Sequence, residues 1–245
     1  MKLLEVKGLT KVYTGLTAVS EVDFAIESGS ITALIGPNGA GKTTCFNLIA
    51  GATRLTRGSV MFAGEEITGS VPEAACARGI ARTFQIVRPL AGMSVVDNVM
   101  VGALRQEHSV AAAQQLALTV LERIGLGAKA TSPASKLSLP ERKLLELAKA
   151  LATRPRLLML DEVMAGLRPV EADAIAQVLR ELNRDGLTIL LIEHVMRVVM
   201  ALGEKIIVLH HGEKIAEGSP AAVAADPRVI ECYFGANGAG ERPTR

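Results

Sequence analysis

Tryptophan is absent from the 245-residue chain, and two tyrosines and five phenylalanines make up its whole aromatic share of 3%. So few flat side chains leave little for unpaired bases to stack on, and a net charge of +2 supplies no basic footprint, so no nucleic-acid partner is expected. Long apolar runs are missing as well. A spanning helix needs roughly 20 apolar residues, whereas the strongest run here, Leu187 to Ile192, stops at Glu193 and His194. No secretory leader is expected, because Met1 leads straight into a strand-like LLEV. Cysteine is scarce and scattered at 45, 76 and 232, which suits neither a disulfide framework nor a metal cluster and fits thiols in a reducing cytosol.

What is present is a globular composition, 49% hydrophobic and 21% charged, long enough for one large domain or a core with a small subdomain. Its organising stretch is Ile31 to Ala50, ITALIGPNGAGKTTCFNLIA, which reads as buried strand, glycine-rich loop and helix start. Gly36, Gly41, Lys42 and Thr43 satisfy G-x-x-x-x-G-K-[ST], and the flanking strand and helix supply the context that this pattern needs. Over Gly36, Pro37, Asn38, Gly39, Ala40, Gly41, Lys42, Thr43 and Thr44 the backbone is expected to wrap phosphate oxygens, with a helix N-terminus aimed at the same place. Lys42 would reach the β and γ phosphates, Thr43 would bind Mg²⁺, and Thr44 would add a donor toward the α phosphate.

The rest of the chain alternates. Leu3 to Val6 and Val22 to Ile26 read as exposed antiparallel strands, Val60 to Phe62 as a short strand with a turn at Gly64, Pro72 to Arg78 as a short helix, and Ile80 to Phe84 as extended. From about 89 to 152, alanine, leucine and glutamine dominate, and Val95 to Leu104, Val110 to Ile124 and Leu139 to Ala152 carry helical spacing, as in an inserted helical subdomain. Strands follow at Leu157 to Leu160, Thr188 to Ile192 and Ile206 to Leu209, with helices between, the first striped by Ile175, Val178, Leu179 and Leu182 and ended by Gly186, then a turn at Gly212 and a last helical pair. Strands alternating with helices predict an α/β fold with a mostly parallel sheet and a ligand at the carboxyl ends of its strands.

Three strand ends carry chemistry. Asp161 would hold Mg²⁺, and Glu162, next to it, would orient and deprotonate a water for attack on the γ phosphate. His194 can hydrogen-bond that phosphate or steer the water. Gln85 has an amide suited to both metal and water, although a glutamine at a strand end means little alone.

With GPNGAGKTT at 36 to 44, RTFQ at 82 to 85, LLMLDE at 157 to 162 and IEH at 192 to 194, the chain resembles the ATP-binding subunit of ABC transporters. That resemblance implies a P-loop ATPase domain over residues 1–235 with an N-terminal antiparallel β subdomain, and a flexible tail at 236–245. It makes Tyr13 the aromatic that stacks on adenine, Gln85 the sensor of the membrane subunit and His194 the switch histidine. The alternative for Tyr13 is a half-buried strand aromatic. The signature departs from the family: Leu137, Ser138, Leu139, Pro140, Glu141 stand where Leu-Ser-Gly-Gly-Gln is usual. Ser138 can still meet a γ phosphate across a dimer, but Pro140 has no N–H to give, and Ser138 with Glu141 also fits a plain capping box. Arg168 stands where the family often has aspartate.

The C-terminal third, EHVMRVVMALGEKIIVLHHGEKIAEGSP followed by DPRVIECYFG, is similar to the ATPases of branched-chain amino-acid uptake. This implies a head-to-tail dimer with a second, different ATPase, two transmembrane permease subunits, a periplasmic binding protein upstream, and a cytoplasmic place on the inner face of the membrane. Two alternatives stay open: a soluble ABC ATPase, and a regulatory nucleotide-binding subunit that hardly hydrolyses.

Overall fold

The computed structural model describes residues 1–83 and 89–234. β1 (Lys2–Tyr13) and β2 (Leu16–Glu27) form a long antiparallel hairpin, joined on the other side of β1 by β4 (Arg57–Phe62) and β5 (Glu65–Glu66). These strands are longer than their apolar alternation indicates, and only one face is exposed. Leu4, Val6 and Leu9 of β1, with Val22, Phe24 and Ile26 of β2, are all buried.

β3 (Ile31–Ile35) opens the second sheet and leads through the glycine loop into α1 (Lys42–Ile49). After α2 (Pro72–Ala77) comes β6 (Ile80–Arg82), and then three helices, α3 (Val95–Ala103), α4 (Val110–Arg123) and α5 (Leu139–Leu151). The chain continues through β7 (Leu157–Asp161), α6 (Pro169–Arg184), β8 (Thr188–Ile192), α7 (Met196–Leu202), β9 (Lys205–His210), β10 (Glu213–Gly218), α8 (Pro220–Ala224) and α9 (Pro227–Phe234). The six-stranded order is β10-β9-β3-β8-β7-β6, parallel except for β10.

Alternation along the parallel strands sorts two cores. Leu34, Met159, Leu190 and Ile207 face α1 and the antiparallel sheet, while Ala33, Leu158, Leu191 and Val208 face α6 and α7. α3, α4 and α5 enclose a third core, and α5 ties it to the sheet: Leu145 and Ala148 belong to the helical cluster, Leu147 and Ala150 to the sheet's. α6 ends as its sequence suggests, since the Gly186 N–H donates to Asn183 at 2.8 Å and the Leu187 N–H to Leu182 at 3.2 Å, closing a Schellman motif.

Two strands escape the sequence reading, the two-residue β5 just after Gly64 and the longer β10. β10 follows directly after the turn at Gly212, where only the helical pair was expected. Its sequence EKIAEG has two apolar residues and almost no period, so its pairing comes from the turn. His211 (φ 49°) and Gly212 (φ 83°) form a two-residue turn with both φ positive, whose twist returns the chain antiparallel onto β9. The same device joins β1 to β2 at Thr14 and Gly15, and β4 to β5 at Ala63 and Gly64.

Leu145 is fully buried in the helical core. Leu145→Ala is expected to cost about 2–5 kcal/mol, read as a lower urea midpoint in an equilibrium melt.

Candidate functional site

A row of paired residues crosses the parallel sheet near its carboxyl edge: Ile207, Leu34, Ile192 and Asp161 are successive register partners on β9, β3, β8 and β7. Gly36 lies two residues beyond Leu34, His194 two beyond Ile192, and Glu162 one beyond Asp161. Parallel pairing therefore delivers the loop, the acid pair and the histidine to one edge, where ligands of such sheets bind.

The loop itself is tightly seated. A Cβ on Gly36 would lie 2.1 Å from the Leu209 carbonyl oxygen, and one on Gly41 would lie 2.5 Å from that of Ala18. The β9–β10 turn props the loop from below, with the Gly212 N–H donating to Ala40 at 3.1 Å and the Gly212 carbonyl accepting from Ser20 at 2.8 Å. Lys42 is buried, and its Nζ donates to the Gly36 and Pro37 carbonyls at 2.7 and 2.9 Å. Burial holds the ammonium below its usual pKa, while Glu162 and Asp161 pull it back up. Asn38 through Thr44 line an open cleft of about 510 Å³ together with Leu16, Thr17, Ala18, Glu162 and His211.

Asp161 is 2% exposed. Its Oδ2 accepts from the Arg82 guanidinium at 2.8 Å, and Oδ1 is buried with no hydrogen-bond partner among the described residues. Burial raises its pKa, and Arg82 opposes that rise. An unanswered carboxylate oxygen in a buried setting fits a cation bound there, with the Thr43 hydroxyl on the loop as a second oxygen donor. Glu162 takes a left-handed φ of 50°, a conformation that a residue with a side chain keeps only when its surroundings impose it. His194 is largely exposed, and its Nδ1 lies 3.6 Å from Glu162 Oε1.

The remaining expected residues are placed less centrally. Tyr13 ends β1, is 40% exposed, and carries the Lys11 ammonium 4.7 Å from its ring centroid. Ser138 caps α5, and its N–H and hydroxyl both donate to Glu141 Oε2, at 2.8 and 2.9 Å. Lys129 also pairs with Glu141, and this contact, with those from Ser138, lowers that carboxyl's pKa. Leu139 packs toward Gly166, so the altered signature and the segment after the acid pair are neighbours. Arg168 is exposed and turned onto Glu171, its Nε 2.9 Å from Oε1. Gln85 and the end of the expected strand at Phe84 lie outside the described residues, as do residues 236–245.

Several neighbours of the site receive no role from the sequence alone. Arg82 reaches Asp161 from the adjacent strand, and Lys143 and Glu193 lie buried behind the acid pair. α9 brings Tyr233 to the phosphate loop, where burial pushes its hydroxyl up to about 12 while the Gly36 N–H opposes the rise. Arg82, Glu193 and Tyr233 lie inside the RTFQ, IEH and DPRVIECYFG stretches, but their contacts are set by which strands and helices become neighbours.

A glycine loop between a parallel strand and a helix, with an acid pair on a strand two places away, defines the chain as a P-loop nucleotide-binding protein of the cassette type. Comparison with known proteins agrees. The ABC transporter family model matches residues 19–165, and a model described as branched-chain amino acid ATP-binding cassette transporter matches residues 213–239. The chain belongs to the ABC transporter family. It is 37% identical to the high-affinity branched-chain amino acid transport ATP-binding protein BraF of Pseudomonas aeruginosa, over 95% of this chain and 98% of that protein. With the corresponding LivG protein of Escherichia coli it shares 38%, over the same proportions. Among solved structures, an ATP-binding cassette of an ABC transporter in its ADP conformation superposes with a TM-score of 0.88 at 32% identity, covering 96% of this chain and 99% of that one. A dimeric post-hydrolysis cassette bound to ADP and Pi superposes at 0.80 with 26% identity, covering 89% and 99%.

Gly36→Ala would drive a methyl group into the Leu209 carbonyl. The variant is expected to lose nucleotide binding at least about tenfold and to melt earlier, since main-chain neighbours cannot move aside; titration with a fluorescent ATP analogue and a thermal melt check both.

Proposed function

We propose that the chain is the ATP-binding and hydrolysing subunit of an ABC importer for branched-chain or related amino acids. The observation that carries the reading is that Glu162 lines the same cleft as Asn38 through Thr44. Thr43 and Asp161 would hold Mg²⁺, with Gln85 as a further ligand, and the ion would neutralise phosphate charge when bound. The Gly36 to Thr44 backbone and Lys42 bind the triphosphate of ATP. Tyr13 stacks on adenine from the β1–β2 turn. Glu162 takes a proton from the attacking water, and His194, beside it, orients that water or the γ phosphate.

The relatives' names support the substrate class, and the match over residues 213–239 supports it independently of the nucleotide motifs. A dimeric relative supports the pairing of two cassettes, and the pair proposed here closes head to tail. In that assembly Ser138 of one cassette meets the γ phosphate held by the other, and hydrolysis reopens the pair. The partners are a second ATP-binding subunit of different sequence, two transmembrane permeases and, beyond them, a periplasmic binding protein. Among the described residues no helix is long and apolar enough to cross a membrane, which suits a subunit docked on the inner face of one.

Glu162→Gln decides the reading. Turnover is expected to fall by about 10²- to 10⁴-fold while ATP binding and ATP-dependent dimerisation persist; a variant that hydrolyses ATP at the parent rate removes Glu162 from the chemistry. Pro140 lacks an N–H, and the Ser138 hydroxyl is already given to Glu141. Ser138→Ala should therefore slow the assembled pair less than the matching change in its partner, measured as phosphate release; equal losses would remove the asymmetry.

A further inference from the structure

Behind the acid pair lie two ionisable side chains that do not line the cleft. Lys143 on α5 is 5% exposed, and Glu193, just past β8, is 1% exposed. Ions so thoroughly removed from water are costly unless their surroundings answer them, and both are aimed at the backbone of one short turn. Lys143 Nζ donates to the Glu162 carbonyl at 3.2 Å, and the Met164 N–H donates to Glu193 Oε1 at 2.9 Å. Two further bonds complete the hold: the Glu162 N–H donates to Ile192 at 2.9 Å, and the Ala165 N–H donates to the Glu162 carbonyl at 3.2 Å.

The turn that is held in this way is the one in which Glu162 keeps its left-handed φ of 50°. The second carboxylate oxygen of Glu193 is buried and has no hydrogen-bond partner among the described residues. Burial raises that carboxyl's pKa, and the Met164 N–H, His194 and Lys143 oppose the rise. Lys143 also sits five residues after Ser138, the N-cap of its helix, so its side chain links the first turns of α5 to the Glu162 carbonyl.

We propose that Lys143 and Glu193 are a positioning pair that fixes the Glu162 carboxylate toward the cleft and couples its placement to the start of α5. The proposal rests on Glu162 being the base. Neither residue touches the reacting atoms; both act through the backbone of the turn that begins at the residue that does.

The test measures ATP turnover, MgATP affinity and melting temperature on the full chain, alone or assembled with its partners. Lys143→Met keeps the length of the side chain and removes the cation. It is expected to lower kcat by about 10- to 100-fold, as small misplacements of a catalytic group do, with MgATP affinity changed less than about threefold. Lys143→Arg restores most of the rate. Glu193→Gln retains an acceptor for the Met164 N–H but loses the charge, and it lowers kcat with the same split. The double variant loses less than the product of the two singles, because neither charge is left unanswered. A folded Lys143→Met protein turning over within about twofold of the parent overturns the proposal, as does a fall in affinity that matches the fall in kcat. Should Lys143→Met fail to fold, Glu193→Gln decides, and a parental kcat there overturns it. Glu162→Gln separates the two readings: if that variant still turns over, both fall, and if it is dead while the Lys143 and Glu193 variants are unimpaired, only the positioning pair falls.

Discussion

A buried ammonium holds the phosphate loop in shape. Lys42 is turned back onto the Gly36 and Pro37 carbonyls, so the loop closes around the side chain at its own end. Removing an ammonium from water is unfavourable, and here two carbonyls answer it by contact while Asp161 and Glu162 answer it through space. Those acids reach it because β7, β8 and β3 run parallel in register, which brings strand ends far apart in sequence onto one line. Loop, acids and sheet therefore specify one another. A slip in strand register would leave the cation without its anions and the anions without their cation.

The support beneath the loop is steric. Gly36 passes so close to β9 that the Leu209 carbonyl occupies the space a methyl group would need, and Gly41 stands in the same relation to Ala18 on β2. The β9–β10 turn adds a hydrogen bond from Gly212 to Ala40. Both sheets and their edge hairpin thus converge on one loop of nine residues, 36 to 44. This explains how a short edge strand with little apolar character contributes to the site: its turn is a prop.

Charge is buried on the other side of the acid pair as well. Asp161, Lys143 and Glu193 are each nearly inaccessible, and burial moves each one's pKa toward its neutral form. Opposite charges within the same pocket work against that shift. The result is an alternating cluster, Arg82 and Asp161 on one side and Lys143 and Glu193 on the other, with Glu162 on the turn between them. Such a cluster is stable only when complete, which makes it a means of fixing geometry rather than a source of stability.

The parts legible in the sequence were those governed by local physics. Gly36 to Thr44 announced a phosphate loop through spacing and flanking apolar runs, Leu157 to Leu160 and Thr188 to Ile192 announced buried strands, and α6 announced its end at Gly186. Backbone sterics, period and capping act over a few residues, so a short window contains their cause. Tertiary structure alone decided that β10 pairs with β9, that Arg82 meets Asp161 across 79 positions of chain, and that Lys143 and Glu193 converge behind Glu162. Contacts of that kind depend on which elements become neighbours, and a charge whose partner is remote in the chain looks like any surface residue until the fold removes both from water.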